Sequence, residues 1–428
     1  MILLPVEQMR FYVDTPETTQ IAKVEMTLSF EPDTGLLEQA VKEALVFFPR
    51  FGGRAFSTED GKGVILERND EAPPVSTDET PKALGTKETN HYLFRVVSTG
   101  NRLILTAFHA LGDGLIYASF LIHIVYFYLK STGRKLNGDG YILTEEDMKR
   151  PDLFENVLDR LRDVEAVPAD VKTVTGENVF YDPKDEELYG KKEYYSMKLL
   201  WDTGTFHALT KKLETTPLIL VHVLLSECIR ELNDVGDKII ETGFAVDLHG
   251  RLGSRSQCEY GVSIAIHYPP EYEGLSFEEK LVRSKEEFDK RLELPALKHE
   301  LSIIEHESEN VLQYLNLNNP DQIRAILKKK GRSGSSLFIS NLGKSHLPEE
   351  LKDDILSVFA HGSPTRYEGN YYMYNWKGKG ALLYIGNSTD HTLMERFREK
   401  LFALAVDTEL EITGLQVNDY LGRIGRKE

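Results

Sequence analysis

The chain contains 428 residues, with 51 Lys and Arg against 68 Asp and Glu, so its formal net charge is −17. Hydrophobic residues make up 41% and charged residues 28%, a composition typical of folded globular proteins that excludes disorder as the main state. Nucleic-acid binding depends on clustered Lys and Arg, so the acidic balance argues against a nucleic-acid partner. At roughly 100–200 residues per domain, the length predicts two sizeable domains or one large domain with an internal repeat.

The cysteines and the first residues indicate the compartment. Cys228 and Cys258 are too few for a disulfide framework or a zinc site, and they fit a reducing cytosol. The opening MILLPVEQMRFYVD has no basic region before its apolar residues, unlike a signal peptide. The longest apolar run, residues 115–129, is interrupted by Ser119 and His123 and is too short to span a bilayer. We therefore expect a cytoplasmic protein without a membrane span.

Hydrophobic periodicity and turn residues predict strands with two prominent helices in the first part of the chain. The elements expected there are a strand over residues 21–30, a helix over 33–48 that Pro49 ends, hairpins over 55–68 and 92–108 around a polar loop at 71–89, and an apolar helix over 114–130.

Residues 131–192 change in composition and contain an acidic segment, 145–162, that predicts a helix. We place the domain crossover here, with a first half over residues 1–165, a linker over 166–192 and a second half over 193–428. The elements expected in the second half are strands at 193–201, 239–248, 261–268, 336–340, 355–360, 371–376 and 381–385, two helices on either side of Thr216–Pro217, and helices at 276–292 (with a capping box from Ser276 and Glu279), 321–330 and 391–405.

Two distant segments share one pattern. Residues 103–121 (LILTAFHALGDGLIYASFL) and residues 381–401 (ALLYIGNSTDHTLMERFREKL) each predict an apolar strand, a polar turn that contains Asp, and a helix. In the first segment a His also precedes the Asp. Two halves built on one plan indicate an α/β fold of the α+β sandwich type, with a cleft between the halves.

The turn of the first segment, residues 108–114, carries the candidate chemistry. A strand-to-helix turn holds a side chain on rigid elements at the edge of a sheet, as a catalytic base requires. The imidazole of His109 has an unperturbed pKa of about 6.5, which suits proton transfer near neutrality. We interpret Asp113 as the organiser of the loop, where Gly112 and Gly114 permit tight backbone turns. The alternative interpretation is structural, with a His satisfied at a strand end and an Asp that caps the next helix.

The segment His109–Gly114 resembles the HxxxDG active-site motif of the condensation-domain and chloramphenicol-acetyltransferase-like superfamily, which includes the BAHD acyltransferases and the alcohol O-acetyltransferases. The resemblance covers nearly the whole chain and implies two chloramphenicol-acetyltransferase-like α/β halves that meet at a tunnel. Further segments similar to the family, in the family's order, are PVEQMRFYVD at residues 5–14, VFFPRFGGR at 46–54, AVDLHGRLG at 245–253 and FISNLG at 338–343. The last of these is similar to the alcohol O-acetyltransferase-like members.

The resemblance implies transfer of an acyl group, in the first place acetyl, from a CoA thioester to a small-molecule hydroxyl or amine. His109 would act as the general base and Asp113 as its structural support. The backbone N–H near Gly114 and the hydroxyl of Ser340, beside Asn341, are the candidate donors to the oxyanion. Acyl-CoA would be a co-substrate, with no permanently bound cofactor.

Departures from the family pattern leave two alternatives open. Condensation domains usually have two adjacent His residues, and Phe108 stands in the first position here. His249 stands where the family often has an Arg that pairs with the motif Asp, so Arg251 or His249 would have to serve Asp113. The alternatives are a stand-alone condensation-type protein that uses carrier-protein thioesters, and a catalytically silent relative that binds an acyl ligand or a partner.

The most basic run in the chain is formed by Lys328, Lys329, Lys330 and Arg332. Its functional interpretation is a binding site for the phosphates of coenzyme A. The alternative is a helix C-terminus at which cations complement the helix dipole and Gly331 forms the cap.

Metal ligation has little support in the sequence. His299 and His306 are seven residues apart, which places them two turns apart on a helix, too far to share one ion. The chain contains no HExxH or CxxC motif. We therefore expect no metal site.

Overall fold

The computed structural model describes residues 3–14, 19–181, 193–314, 316–317, 335–344, 347–363, 369–386 and 388–426. Several predicted features lie outside the described residues, namely the helix predicted over 321–330, the basic run Lys328, Lys329, Lys330 and Arg332, and residues 182–192 of the predicted linker.

The helices and strands follow the predicted order closely. The helices are α1 (Pro5–Val13), α2 (Thr34–Phe47), α3 (Gly114–Ser131), α4 (Val157–Arg160), α5 (Thr203–Lys212), α6 (Pro217–Leu232), α7 (His249–Leu252), α8 (Phe277–Arg291), α9 (Leu294–Tyr314) and α10 (Thr392–Ala403). The longer strands are β1 (Ile21–Leu28), β2 (Gly53–Ser57), β3 (Val64–Arg68), β6 (Phe94–Thr99), β7 (Arg102–Phe108), β8 (Glu193–Asp202), β9 (Ile240–Asp247), β10 (Gly261–Tyr268), β11 (Leu337–Lys344), β12 (Ile355–Gly362), β13 (Gly369–Trp376), β14 (Lys379–Gly386) and β15 (Thr408–Val417). Two-residue strands are β4 (Val75–Ser76), β5 (Ala83–Leu84), β16 (Tyr420–Leu421) and β17 (Gly425–Arg426).

Local sequence signals account for the helix starts. Asp33 caps α2, since its side chain accepts a hydrogen bond from the Leu36 amide at 2.9 Å. Ser276 and Glu279 form the predicted capping box at α8, with the Glu279 side chain 2.8 Å from the Ser276 amide. Such caps satisfy amide groups that have no partner inside the helix, so the predictions of both helices are confirmed.

Two main sheets organise the chain. The first has the strand order β12-β1-β7-β6-β4, and the second has the order β10-β9-β11-β13-β14-β8-β15. In the first sheet β7 pairs with β1 so that Phe108 lies opposite Ile21. The helices α2 and α3 pack together, and their buried residues share one hydrophobic core with β1 and β7. This core holds the end of β7, from which the candidate site emerges.

Segments from the second half complete the first half. The strand β12 pairs antiparallel with β1 along most of its length, from Gly362 opposite Ala22 to Val358 opposite Met26. Near the C-terminus, β16 pairs with β5 and β17 pairs with β2. The helix α1 of the first part of the chain also packs against α9. The division of the chain into residues 1–165 and 193–428 stays a prediction. The pairs β12–β1, β16–β5 and β17–β2 each join a strand from one side of that division to a strand from the other.

The two segments that share one sequence pattern adopt one structural pattern. The strand β7 leads through the Asp113 turn into α3, and β14 leads through the Asp390 turn into α10. Asp113 accepts a hydrogen bond from the Ile116 amide at 3.1 Å, and Asp390 accepts one from the Thr392 amide at 2.9 Å. The predicted strand–turn–helix units are therefore confirmed in both places.

The predicted acidic helix over residues 145–162 is wrong. The structure has two short 3₁₀ turns, Asp147–Lys149 and Pro151–Phe154, and the single helical turn of α4. Pro151 lacks an amide hydrogen and disfavours helical geometry at the preceding residue. Arg150 is accordingly extended, with φ −68° and ψ 131°. The acidic composition predicted a helix, but this proline prevents one.

The helix α3 is, among the described residues, the one long and apolar enough to cross a membrane by length and composition. Most of its residues are buried in the core, including Phe120, Leu121 and Ile124. The core helix of a soluble protein passes the same test, so this match is weak support for a membrane span.

Candidate active site

His109 stands at the end of β7, where the sheet gives way to a short 3₁₀ turn. Its backbone amide donates a hydrogen bond to the carbonyl of Gln20, the residue before β1, at 2.8 Å, which fixes His109 to the neighbouring strand. The ring is half-buried and lies edge-on to Tyr117, with 6.1 Å between the ring centroids. Nδ1 is buried with no hydrogen-bond partner of good geometry in the described part of the chain.

The surroundings of His109 favour its neutral form. Burial and the positive charge of Arg10 lower its pKa to about 4, against the opposing effects of Glu259 and of the residue's own backbone. Near neutral pH the imidazole is therefore unprotonated and has a lone pair that can accept a proton. A group prepared in this way can act as a general base at physiological pH.

The loop after His109 depends on glycine. Gly112 has φ +155°, and a Cβ atom there would lie 2.9 Å from Cγ2 of Ile116, closer than packed carbon atoms approach. The Tyr117 hydroxyl donates a hydrogen bond to the Gly112 carbonyl at 2.6 Å. This loop is thus closed over the first turn of α3, which leaves no room for a side chain at Gly112.

Asp113 is a structural link in this arrangement. Its Oδ1 accepts hydrogen bonds from the Leu115 and Ile116 amides, both at 3.1 Å, and so caps α3. Its Oδ2 accepts one from the Tyr260 amide at 3.3 Å and lies 3.9 Å from Nδ1 of His249. Burial raises the pKa of Asp113, with the nearby positive charge of His249 acting in the opposite direction. The carboxylate thus caps a helix of the first half and also contacts the second half.

The structure places His249, and not Arg251, beside Asp113. Nδ1 of His249 lies 2.6 Å from Oδ1 of Asp247, and Nε2 lies 2.9 Å from the Ser256 carbonyl. Burial alone would lower the pKa of His249, but the hydrogen bond to Asp247 and the charges of Asp113 and Asp247 outweigh it and raise that pKa. Arg251 is exposed, and its guanidinium reaches the Leu292 carbonyl at 3.4 Å.

Because both ring nitrogens of His249 face acceptors, the ring is best satisfied as an imidazolium. Among the described residues, donor atoms of Asp113, Asp247 and His249 lie within 4.8 Å of one another, close enough to hold a metal ion. Each of the three side chains is already engaged by the hydrogen bonds and ion pair described above. We therefore interpret the group as an ion-pair cluster.

Two buried residues that the sequence analysis did not single out lie next to the motif loop. Glu7 on α1 and Arg50 after α2 form an ion pair, with 0% and 3% of their side chains exposed. One arm of Arg50 lies 2.7 Å from Glu7 and 3.3 Å from the Gln257 carbonyl, and the other reaches the Ala110 carbonyl at 3.4 Å. The pair therefore joins the His109 loop to residue 257 of the second half.

A second ion pair lies beside the first. Arg10 on α1 donates hydrogen bonds to Oε1 of Glu259 at 2.6 Å and to the Gln20 side chain at 2.9 Å. The Glu259 amide donates to Oε1 of Glu7 at 3.1 Å, which connects the two pairs. Glu7 and Arg10 are three residues apart in an otherwise apolar opening segment. That spacing was a signal of charged residues on one helix face, although their partners are distant in sequence.

The remaining predicted residues lie in three different places. Gly114 is the first residue of α3. Ser340 is half-buried on β11, in register with Ala245 of β9, two residues before Asp247. Since side chains alternate along strands, Ser340 is on the sheet face that Ala245 and Asp247 share. Asn341, the next residue, is exposed. The basic run over 328–332 lies outside the described residues.

Comparison with solved structures identifies the fold. No protein-family model matches the chain, and no curated protein matches it. The TRI101 protein of F. sporotrichioides, solved with coenzyme A and T-2, is 12% identical with a TM-score of 0.57, over 95% of this chain and 99% of that one. The TRI3 trichothecene 15-O-acetyltransferase of Fusarium sporotrichioides is 10% identical with a TM-score of 0.64, over 94% of each chain. The condensation domain of the Monacolin K polyketide synthase MokA is 12% identical with a TM-score of 0.57, over 94% of this chain and 96% of that one.

These neighbours cover almost the full length of the chain and share its architecture. The protein therefore has the α/β fold of these neighbours, in agreement with the fold that the sequence resemblance implied. Because the identities are this low, the likeness defines the fold, and the activity has to be argued from the site.

Proposed function

We propose that the protein is an acyltransferase that moves an acyl group, in the first place acetyl, from a CoA thioester to the hydroxyl or amine of a small molecule. The observation that carries this proposal is the neutral, half-buried imidazole of His109, held on a rigid element at the end of β7. The neighbours TRI101, solved with coenzyme A and T-2, and TRI3, a 15-O-acetyltransferase, support this chemistry. Acyl-CoA is then a co-substrate, and the site needs no permanently bound cofactor.

In the proposed reaction His109 handles one proton. Nε2 of His109 takes the proton of the acceptor hydroxyl or amine while the acceptor atom attacks the thioester carbonyl carbon. As the tetrahedral intermediate collapses, the carbon–sulfur bond breaks and His109 returns the proton to the thiolate of CoA. A positioned base of this kind contributes roughly 10²–10⁴-fold, and holding both substrates together supplies proximity without an acyl-enzyme.

The negative charge that develops on the carbonyl oxygen requires hydrogen-bond donors. The Ser340 hydroxyl is our candidate, because Ser340 shares a sheet face with Ala245 and Asp247. The backbone near Gly114, at the start of α3, is the second candidate, since the start of a helix favours negative charge. Asp113 and His249 hold the loop and do not take part in proton transfer in this proposal.

Two alternatives rest on particular residues. A condensation-type reaction with carrier-protein thioesters is favoured by the likeness to the MokA condensation domain and opposed by Phe108 in place of a second His. A catalytically silent relative that binds a ligand or a partner would fit the unusual Phe108 and His249. A cytoplasmic location is part of the main proposal, since CoA thioesters would be available there.

The test is acyl transfer by the purified protein. Acetyl-CoA is incubated with a panel of small alcohols and amines while free thiol is followed, for the wild type, for His109→Ala and for His207→Ala, an exposed His on α5 that serves as the control. Acceptor-dependent thiol release that is lost only in His109→Ala supports the proposal. Equal release by all three proteins would contradict the role of His109.

The same assay separates the alternatives. Release only from thioesters on a phosphopantetheinyl carrier protein would favour the condensation-type reaction. Retained binding of acetyl-CoA without turnover, across the whole acceptor panel, would favour the silent relative.

A further inference from the structure

We propose that Glu259 is a positioning residue for His109, because its buried carboxylate supplies the counter-charge for the imidazolium that forms when His109 takes up a proton. The role in catalysis rests on the proposed function. The electrostatic interaction between the two side chains does not depend on the proposed function, and it can be tested without measuring acyl transfer.

Hydrogen bonds on two sides bring Glu259 to the His109 loop. On one side Arg10 donates to both Glu259 and Gln20, and the Gln20 carbonyl accepts the His109 amide at 2.8 Å. On the other side the amide of Tyr260, the residue after Glu259, donates to Asp113 of the same loop. The segment with Glu259 is therefore held against the loop by contacts at both of its ends.

Two buried atoms in this region have complementary needs. Nδ1 of His109 and Oε2 of Glu259 are both buried, and neither has a hydrogen-bond partner among the described residues. An unsatisfied buried polar group costs about 1–3 kcal/mol. The two atoms are not hydrogen-bonded to one another, but a ring N–H at Nδ1 and a carboxylate oxygen can satisfy one another through one bound water. With Nδ1 as the donor, Nε2 keeps the lone pair that the reaction uses.

The charges around His109 oppose one another. The charged or titratable groups in this region are Glu7 and Arg10 on α1, Arg50 after α2, Asp113 of the same loop, Tyr117 on α3, and Glu259. Of these, Arg10 lowers the pKa of His109 and Glu259 raises it. Burial alone would raise the pKa of Glu259, but the charge and hydrogen bond of Arg10, with a further contribution from Arg50, outweigh burial and lower that pKa, so the carboxylate stays ionised.

This arrangement gives Arg10 and Glu259 opposite effects on one ring. The attraction between Glu259 and His109 grows as the ring becomes positive, which stabilises the proton-transfer state more than the resting state. Arg10 holds Glu259 in place and keeps the resting imidazole neutral. Removing either charge should therefore change the basicity of His109, and the two changes should have opposite signs.

The experiment measures the reactivity of the His109 imidazole with diethyl pyrocarbonate at pH 6.5, followed at this residue by peptide mass spectrometry. The rate reports the nucleophilicity of the neutral ring, which follows its basicity. The variants are Glu259→Gln, Glu259→Asp and Arg10→Gln. The control is Glu227→Gln, which removes the same charge from a partly exposed ion pair with Lys280 in the second half.

Glu259→Gln should slow modification about threefold, since a nearby opposite charge shifts a pKa by about one or more and reactivity follows basicity with a fractional slope. Arg10→Gln should speed it up, Glu259→Asp should restore most of the wild-type rate, and Glu227→Gln should leave it unchanged. Rates that change in the same direction in Glu259→Gln and Arg10→Gln would overturn the proposal, because general loosening of the loop would do that. If circular dichroism shows that Glu259→Gln does not fold, the test rests on Arg10→Gln. A modification rate in Arg10→Gln that is equal to or slower than that of the wild type then overturns the proposal.

Acyl transfer is measured separately with the same proteins. The predicted rate changes together with absent acyl transfer would support the pairing and contradict the proposed function. Acyl transfer without the predicted rate changes would support the proposed function and overturn the role of Glu259.

Discussion

Nδ1 of His249 lies 3.9 Å from Oδ2 of Asp113 and 2.6 Å from Oδ1 of Asp247, so one imidazolium joins the motif loop of the first half to the end of β9 in the second. The family that the sequence resembles often has an Arg at this place. An Arg keeps its charge at every physiological pH, whereas a His loses it. We therefore expect the strength of this contact between Asp113 and His249 to depend on pH.

The sign of that dependence follows from the raised pKa of His249. Burial opposes the shift, but Asp247 and Asp113 outweigh it. The pKa of His249 is higher in the folded protein than the value of about 6.5 in the unfolded chain. The stabilisation from the charged His249 is therefore fully present below a pH of about 6.5 and is lost as the pH rises through the folded pKa. Between pH 6 and pH 9 the wild type should lose about 1 kcal/mol more unfolding free energy than His249→Arg, as measured by urea unfolding.

Other groups do not interfere with this comparison. His267, whose pKa is raised to about 9 by Glu241 and Glu287 against the effect of burial, contributes in the same direction but equally in both proteins. A difference between wild type and His249→Arg that is the same at pH 6 and pH 9 would show that folding does not raise the pKa of His249.

Asp113 provides a second prediction, which distinguishes the contribution of its helix cap to stability from the contribution of its negative charge. Asp113→Asn keeps an oxygen acceptor for the amides of α3 but removes the negative charge beside His249. Asp113→Ala removes both the cap, worth about 1 kcal/mol, and the charge beside His249, which keeps its hydrogen bond to Asp247. We expect both variants to unfold at lower urea concentration, and Asp113→Ala at the lowest. Equal midpoints for the wild type and Asp113→Asn would mean that the ion pair with His249 adds nothing to stability.

The parts of the fold that the sequence predicted correctly are those with local signals. Asp33, Ser276 and the glycine-containing turns act on neighbouring residues, so the elements they bound could be read directly. The acidic helix failed for a local reason as well, since the effect of Pro151 was given too little weight against the composition. The helix α1 was not predicted, although Pro5 at its first position is a typical helix start. The edge strand β15 was not predicted either.

The site could be predicted only in part, since its contacts are long-range. The spacing of His109 and Asp113 was visible as a motif. The pairs Glu7–Arg50 and Arg10–Glu259 join residues 43 and 249 positions apart, and no local pattern links such residues. The choice between His249 and Arg251 was also left open, and it was settled by the turn after β9, which brings His249 to Asp113 and leaves Arg251 exposed.

Gly112 provides a third prediction, about the shape of the motif loop. A Cβ atom at this position would lie 2.9 Å from Ile116 Cγ2, at a φ of +155°. Gly112→Ala should therefore destabilise the protein by about 1–3 kcal/mol and lower acyl transfer by displacing His109. Gly274→Ala is the matched control, since a Cβ there meets nothing within 4 Å. Equal urea midpoints for the two variants would show that the loop tolerates a side chain at Gly112.

The basic run over residues 328–332 provides a fourth prediction, which rests on the sequence alone. If Lys328, Lys329 and Lys330 bind the phosphates of CoA, changing all three to Gln should raise the KM for acetyl-CoA about tenfold and leave kcat unchanged. The matched substrate is acetyl-pantetheine, which lacks the phosphates. Its KM should be the same for the wild type and the triple variant. A rise for both donors would instead indicate damage to the fold or to the acyl site.

The ion pair of Glu7 and Arg50 provides the last prediction, about what joins the two halves at the site. Both side chains are almost completely buried, and Arg50 also contacts the Ala110 and Gln257 carbonyls. Removing one partner leaves an uncompensated buried charge, so Glu7→Gln and Arg50→Met should each cost about 3–5 kcal/mol of unfolding free energy. The double variant should cost less than the sum of the two, because neither charge is then left alone. Urea unfolding of the four proteins measures this coupling, and strictly additive losses would mean that the two side chains act independently.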